Sequence, residues 1–109
     1  MPVTVAPTLF DRLPGLQAEL GSGYAVEAGT PAGDGLAVLL APSAATVAFW
    51  RARYPGSWLL VVDPGREGDA TTCLNGGADA YLGGPVSTVE VAAVLRSLDR
   101  RRAAALMPA

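Results

Sequence analysis

The run Leu74-Asn75-Gly76-Gly77-Ala78-Asp79-Ala80-Tyr81-Leu82-Gly83-Gly84-Pro85 holds the end of a helix, a glycine turn and a short strand closed by proline. Gly76 and Gly77 stop the weak helix that begins near Ala70, because glycine takes the left-handed conformation that a Cβ disfavours. Ala78 to Leu82 follows as a short strand. Downstream, Ser87 and Glu90 form a Ser-x-x-Glu capping box that opens a final helix, with Val91, Val94, Leu95 and Leu98 on its inner face. Upstream, Trp58 to Val62 is a continuous apolar run, and Pro64, Gly65 and Gly68 mark the loop after it.

The same alternation continues toward the amino terminus. Leu36 to Leu40 is a second continuous apolar run, the pattern of a strand covered on both faces, with Ala41 and Pro42 closing it. Ser43 is placed to cap a helix whose apolar face is Val47, Trp50 and Tyr54, ended by Pro55 and Gly56. Tyr24 to Ala28 reads as a strand and Gly29 to Gly35 as a loop. Leu9, Leu13, Leu16 and Leu20 recur at helical spacing, but Pro14 and Gly15 interrupt them and predict a short or kinked helix. Val3 to Ala6 is the first strand. Strands alternating with helices imply right-handed crossovers, a five-stranded parallel sheet and a flavodoxin-like (βα)5 three-layer sandwich of the α/β class.

Composition narrows the function classes. At 109 residues, 50% of them hydrophobic and 17% charged, the chain has material for one folded core. No apolar run approaches the ~20 residues that cross a bilayer, and residues 1–9 lack the basic start of a secretion signal, so a cytoplasmic location without membrane is expected. The net charge of −2, with no alternation of aromatic and basic residues, argues against direct nucleic-acid binding. Cys73 is the single cysteine and reads as buried filler, since it has no disulfide or metal-binding partner. The sequence contains neither lysine nor histidine. Asp34 and Glu27 read as solvated charges. Gly21-x-Gly23 precedes a strand and so lacks the setting of a dinucleotide loop.

The quoted stretch resembles the response-regulator receiver pattern L-x-x-G-A-D-x-Y-L-x-K-P, and the order of the other elements fits a receiver across residues 1–102, with 103–109 as a tail toward a possible output domain. The resemblance implies an acidic magnesium-binding pair after the first strand, a phosphate-accepting aspartate after the third, a hydroxyl residue after the fourth and a lysine after the fifth. Here these positions fall on Ala6 and Pro7, Ala41, Asp63 and Gly84. Alanine and proline offer no hard oxygen ligand, a methyl group is no nucleophile, and a carboxylate repels a phosphoryl group. The resemblance also places Tyr81 at the family's switch aromatic and Pro85 after a bond that is commonly cis in relatives.

These substitutions lead to a phosphorylation-independent pseudo-receiver that needs no cofactor and no metal and is not an enzyme. Asp63 either mimics a fixed phosphate or, as the favoured reading, opens a turn with Pro64 and Gly65. Tyr81 is either a rotamer switch or, more readily, a static tyrosine. The leading expectation is a dimerisation and regulatory module of a transcription regulator, a homodimer through the last helix and fifth strand with Arg96, Arg100 and Arg101 on its face, joined to a DNA-binding output domain or engaging a protein partner. The alternative is a small-molecule sensor that uses the emptied pocket around Ala6, Ala41, Asp63 and Gly84.

Overall fold

The computed structural model describes residues 1–40, 43–65 and 68–106. Strands β1 (Pro2–Val5), β2 (Ala25–Ala28), β3 (Leu36–Leu40), β4 (Trp58–Asp63) and β5 (Ala80–Gly83) form one parallel sheet in the order β2-β1-β3-β4-β5. The helices are α1 (Pro7–Phe10), α2 (Leu16–Leu20), α3 (Ala44–Arg53), α4 (Ala70–Asn75) and α5 (Thr88–Leu106). The chain is an α/β protein of flavodoxin-like topology, with the strand order reversing between β1 and β3.

The apolar runs are apolar throughout because their two sides pack against different layers. Val3, Val5, Leu36, Val38, Leu60 and Val62 face one core with Leu9, Leu13, Leu16 and Leu20 from the α1–α2 segment and Val91, Leu95 and Leu98 from α5. Ala37, Leu39, Leu59 and Val61 face a second, smaller core with Val47 of α3 and Cys73 of α4. The sheet register keeps the two sets on opposite sides, since Ala37 pairs with Leu59 and Leu39 with Val61 across β3 and β4, while Val38 pairs with Leu60.

The helix expected over Leu9 to Leu20 is broken in two. Gly15 sits at φ 76° just before α2, and Pro14 has no amide to continue the hydrogen-bond ladder. Its four leucines are all buried nonetheless, so the spacing still delivers one apolar stripe. At the other end of the chain the capping box closes reciprocally: Glu90 N donates to Ser87 Oγ at 3.1 Å and Ser87 N to Glu90 Oε1 at 3.3 Å. Helix α5 runs on through Leu106, so residues 103–106 of the expected tail are helical. The described peptide bonds are all trans, that before Pro85 included, and the chain turns after β5 at Gly84 with φ 81°.

One layer is incomplete. Among the described residues no helix lies between β2 and β3; the connection is the loop of residues 29–35. β2 is accordingly the most open strand, with Ala25, Glu27 and Ala28 exposed and only Val26 packed on the α5-side core. Thr4, on the α3 side of β1, buries a hydroxyl with no hydrogen-bond partner among the described residues.

A single side chain closes the amino-terminal edge of the sheet. Arg51, in the last turn of α3, donates to Gly77 O at 2.8 and 3.0 Å, Pro55 O at 3.1 Å, Ser57 O at 2.5 Å and Asp79 Oδ2 at 2.5 Å. Asp79 Oδ2 also accepts from Leu59 N at 2.8 Å. The Asp of the quoted stretch therefore anchors α3 and the starts of β4 and β5, at the end of the sheet away from Asp63. β5 begins at Ala80 and not at the expected Ala78: Ala78 N is spent on the turn, donating to Cys73 O, and the first bond to β4 comes from Asp79 N to Leu59 O.

Candidate functional site

In an open parallel sheet the crevice forms beyond the carboxyl ends of the strands, near the point where strand order reverses. Ala6 follows β1, donating its amide to Val38 O at 2.9 Å, and Pro7 opens α1 at a position where a missing amide costs nothing. Ala41 lies outside the described residues, as do Pro42, Arg66 and Glu67. Asp63 is the last residue of β4, and Gly84 directly follows β5; Gly84 N donates to Asp63 O at 2.8 Å, tying the two strand ends together.

Asp63 is completely buried. Its Oδ2 accepts from the Tyr81 hydroxyl at 2.7 Å and from Gly68 N at 2.7 Å. The register explains the first bond: Val61 pairs with Tyr81 and Asp63 with Gly83, which puts both side chains on the α3 side of the sheet one step apart. Gly83 has no side chain, so the Tyr81 ring leans across it; a Cβ there would stand 2.9 Å from Tyr81 Cε1. Gly68 likewise lets the loop come close, since a Cβ would lie 3.2 Å from Asp63 Oδ2. Cys73 is packed beneath this corner, and burial, with the charges of Asp63 and Asp69 adding to it, pushes its thiol pKa up. The sequence offered no sign of Gly68 and Cys73 as neighbours of Asp63, because their closeness depends on how the β4–α4 loop turns back.

The four described former-site positions do not share one cavity. Ala6 and Pro7 line a cleft of about 230 Å³ together with Pro31, Leu39, Leu40, Thr46 and Trp50, among others. Asp63 and Gly84 are not among its walls. Of the pocket expected around Ala6, Ala41, Asp63 and Gly84, the described residues form two places: an apolar cleft over β1 and β3, and a polar corner at the ends of β4 and β5. Gly29, Thr30 and Pro31 of the β2–β3 loop, which takes the place of a helix, form one wall of the cleft. Beside it Trp50 stacks on Tyr54 and meets Phe49 edge-on, with Phe49 largely exposed.

The α5 arginines are unequal. Arg96 donates to Glu19 O at 3.0 Å, and Arg101 donates to Asp79 O at 3.3 Å with its guanidinium over the Trp58 ring. Arg100 is exposed. No group of three or more His, Cys, Asp and Glu side chains among the described residues is placed to hold a metal ion, and no described helix is long and apolar enough to cross a membrane.

No family model and no curated protein sequence matches the chain. Solved structures do. A CheY-like response regulator receiver domain protein from Methanospirillum hungatei superposes with a TM-score of 0.70 at 17% identity, over 93% of this chain and 94% of that one. An orphan response regulator of H. pylori gives 0.71 at 14% identity, over 89% and 94%. A DNA-binding response regulator of the LuxR family from Staphylococcus aureus gives 0.68 at 14% identity, over 90% and 98%. The chain has the receiver-domain fold.

Proposed function

We propose that this chain is a receiver-like regulatory module that signals by contact and does not accept phosphate. The observation that carries this reading is the Asp63–Tyr81 hydrogen bond at 2.7 Å. By resemblance, position 63 belongs to a hydroxyl residue that meets a phosphoryl group and position 81 to an aromatic that follows it. In this chain the carboxylate is built in, and the tyrosine is already held against it. A bond between a phenol and a buried carboxylate is charge-assisted and strong, so the aromatic has one resting place and no incoming anion is needed to set it. The sequence supports the same reading at the other positions, where Ala6, Pro7, Ala41 and Gly84 supply neither metal ligand, nucleophile nor counter-charge.

The role that follows is that of a cytoplasmic, non-enzymatic module with a fixed output surface, which sets the spacing of attached domains through a homodimer on α5. An orphan regulator and a DNA-binding regulator among the structural neighbours support an attached DNA-binding output domain. Arg100 is the best probe of the dimer, because Arg96 and Arg101 already serve intramolecular bonds; Arg100→Glu weakens the association in sedimentation velocity if α5 is the interface. Incubation of Ala41→Asp with acetyl phosphate and magnesium tests the rest. Mass spectrometry is expected to find no phosphoryl adduct, and robust labelling of that variant overturns the reading.

A second reading is favoured by the apolar cleft, which lies where the strand order reverses, the usual ligand position of such sheets. Its volume of about 230 Å³ is below the ~300 Å³ at which drug-sized pockets begin, so it suits a small uncharged molecule only. Native mass spectrometry of the purified chain distinguishes the two: a concentration-dependent dimer without added mass supports the contact module, and a monomer with a reproducible noncovalent mass supports the sensor.

A further inference from the structure

β2 is an outer strand of the sheet, and its outward edge carries the backbone groups of Tyr24, Val26 and Ala28. Alternation fixes this, because Ala25 N and Gly29 N donate inward to Met1 O and Val5 O of the β1 side. A bare edge of this kind pairs readily with another extended chain. Here the side chain of Gln17, on α2, lies along it. Gln17 Oε1 accepts from Val26 N at 2.9 Å, and Gln17 Nε2 donates to Tyr24 O at 2.7 Å and to Gly21 O at 3.0 Å. The carboxamide presents an acceptor and a donor to residues two apart on one strand, as the peptide groups of a neighbouring strand would.

We infer that Gln17 is an edge plug, and that the interface it blocks is antiparallel pairing of β2 with β2 of a second copy of this chain. An antiparallel pair centred on Val26 sets Tyr24 opposite Ala28 and Ala25 opposite Glu27, so no like charges oppose one another. Apart from the two bonds that Tyr24 N would give to Ala28 O, its ladder consists of two bonds from Val26 N to Val26 O and two from Ala28 N to Tyr24 O across the axis. Each of these four bonds needs either Val26 N or Tyr24 O, and Gln17 occupies both. The remaining outward amide of the strand's lead-in, Tyr24 N, is turned to Gly21 O at 3.3 Å. The strand is also uncovered on its α3 side, where Ala25 and Glu27 are exposed.

The test compares the wild type, Gln17→Ala, and Gln17→Ala combined with Ala28→Pro. Alanine is a better helix former than glutamine, so the first variant keeps α2, and a proline at the edge removes only an outward donor. In dilute Gln17→Ala the Val26 amide is expected to exchange about fivefold faster or more, the worth of one lost hydrogen bond, while Leu60 exchange is unchanged. Sedimentation velocity is expected to find one association step beyond the wild type's, which Ala28→Pro abolishes. Unchanged Val26 exchange overturns the plug. Association no stronger than wild type, or association that survives Ala28→Pro, overturns the second copy as the blocked partner.

Discussion

Two hydroxyls in this molecule, one on half-buried Tyr81 and one on buried Thr4, stand in opposite situations, and they predict stability changes of opposite sign. The Tyr81 hydroxyl satisfies a fully buried carboxylate. Tyr81→Phe withdraws that donor, and urea unfolding is expected to report a loss of about 1–3 kcal/mol. The Thr4 hydroxyl is buried without a partner among the described residues. Thr4→Val keeps the shape and removes the unmet group, so a gain of about 1 kcal/mol is expected in the same assay. Neither outcome was readable from residue types. The sequence marks Tyr81 only as a family position, and its bond to Asp63 depends on a register that places the two side chains one step apart across a glycine.

Turns and caps decide the elements, and they were more legible. Ser43 and the Ser87–Glu90 box act as their spacing predicts, because a cap is a local contract between residues three apart. Ser87→Ala is expected to cost about 1 kcal/mol by thermal or urea unfolding. The Gly76–Gly77 stop was equally legible as a turn, but its packing was not. Gly77 sits at φ 119°, and a Cβ there would come within 2.9 Å of the Arg51 side chain. Gly77→Ala therefore meets both backbone strain and a clash with the group that pins α3 to β5. A loss of about 2 kcal/mol or more is expected, read as a lowered urea midpoint. The Arg51–Asp79 pair itself was invisible in sequence, since its members lie 28 residues apart and meet only because the topology brings the last turn of α3 beside the α4–β5 turn. The absence of a described helix between β2 and β3 was legible too, since Gly29 to Gly35 reads as a loop and contains no apolar stripe to bury.

For the whole molecule, two groups whose neutral forms the fold favours contribute to the pH dependence of stability on the alkaline side. Tyr24 donates to Asp99 at 2.8 Å, and burial, followed by that hydrogen bond and the Asp99 charge, raises its pKa above the ordinary 10.0. Cys73 is raised above its ordinary 9.0 by burial first. Both folded values lie above the unfolded ones, so their stabilisation is complete at neutral pH and is lost as pH climbs through the ordinary values toward the folded ones. Urea unfolding between about pH 8 and pH 11 is expected to show a falling alkaline limb that Tyr24→Phe makes shallower. The overall architecture was legible because parallel strands covered on both sides are continuous apolar runs, and Leu36 to Leu40 and Trp58 to Val62 occur as such. The split of the former site into an apolar cleft and a polar corner was not, because it depends on where the β2–β3 and β4–α4 loops run.

The missing β2–β3 helix also says where this protein tolerates foreign chain. A loop that already replaces an element bears few obligations, and doubling the length of a flexible loop costs only about 0.6 kcal/mol in closure entropy. Ala32 is exposed and precedes the first residue of the loop that anchors to β4, where the Ser57 hydroxyl donates to Gly33 O at 2.5 Å. A reporter peptide spliced in after Ala32 is thus a route to labelling the module away from its Asp63 corner and its glycine turn at Gly76 and Gly77.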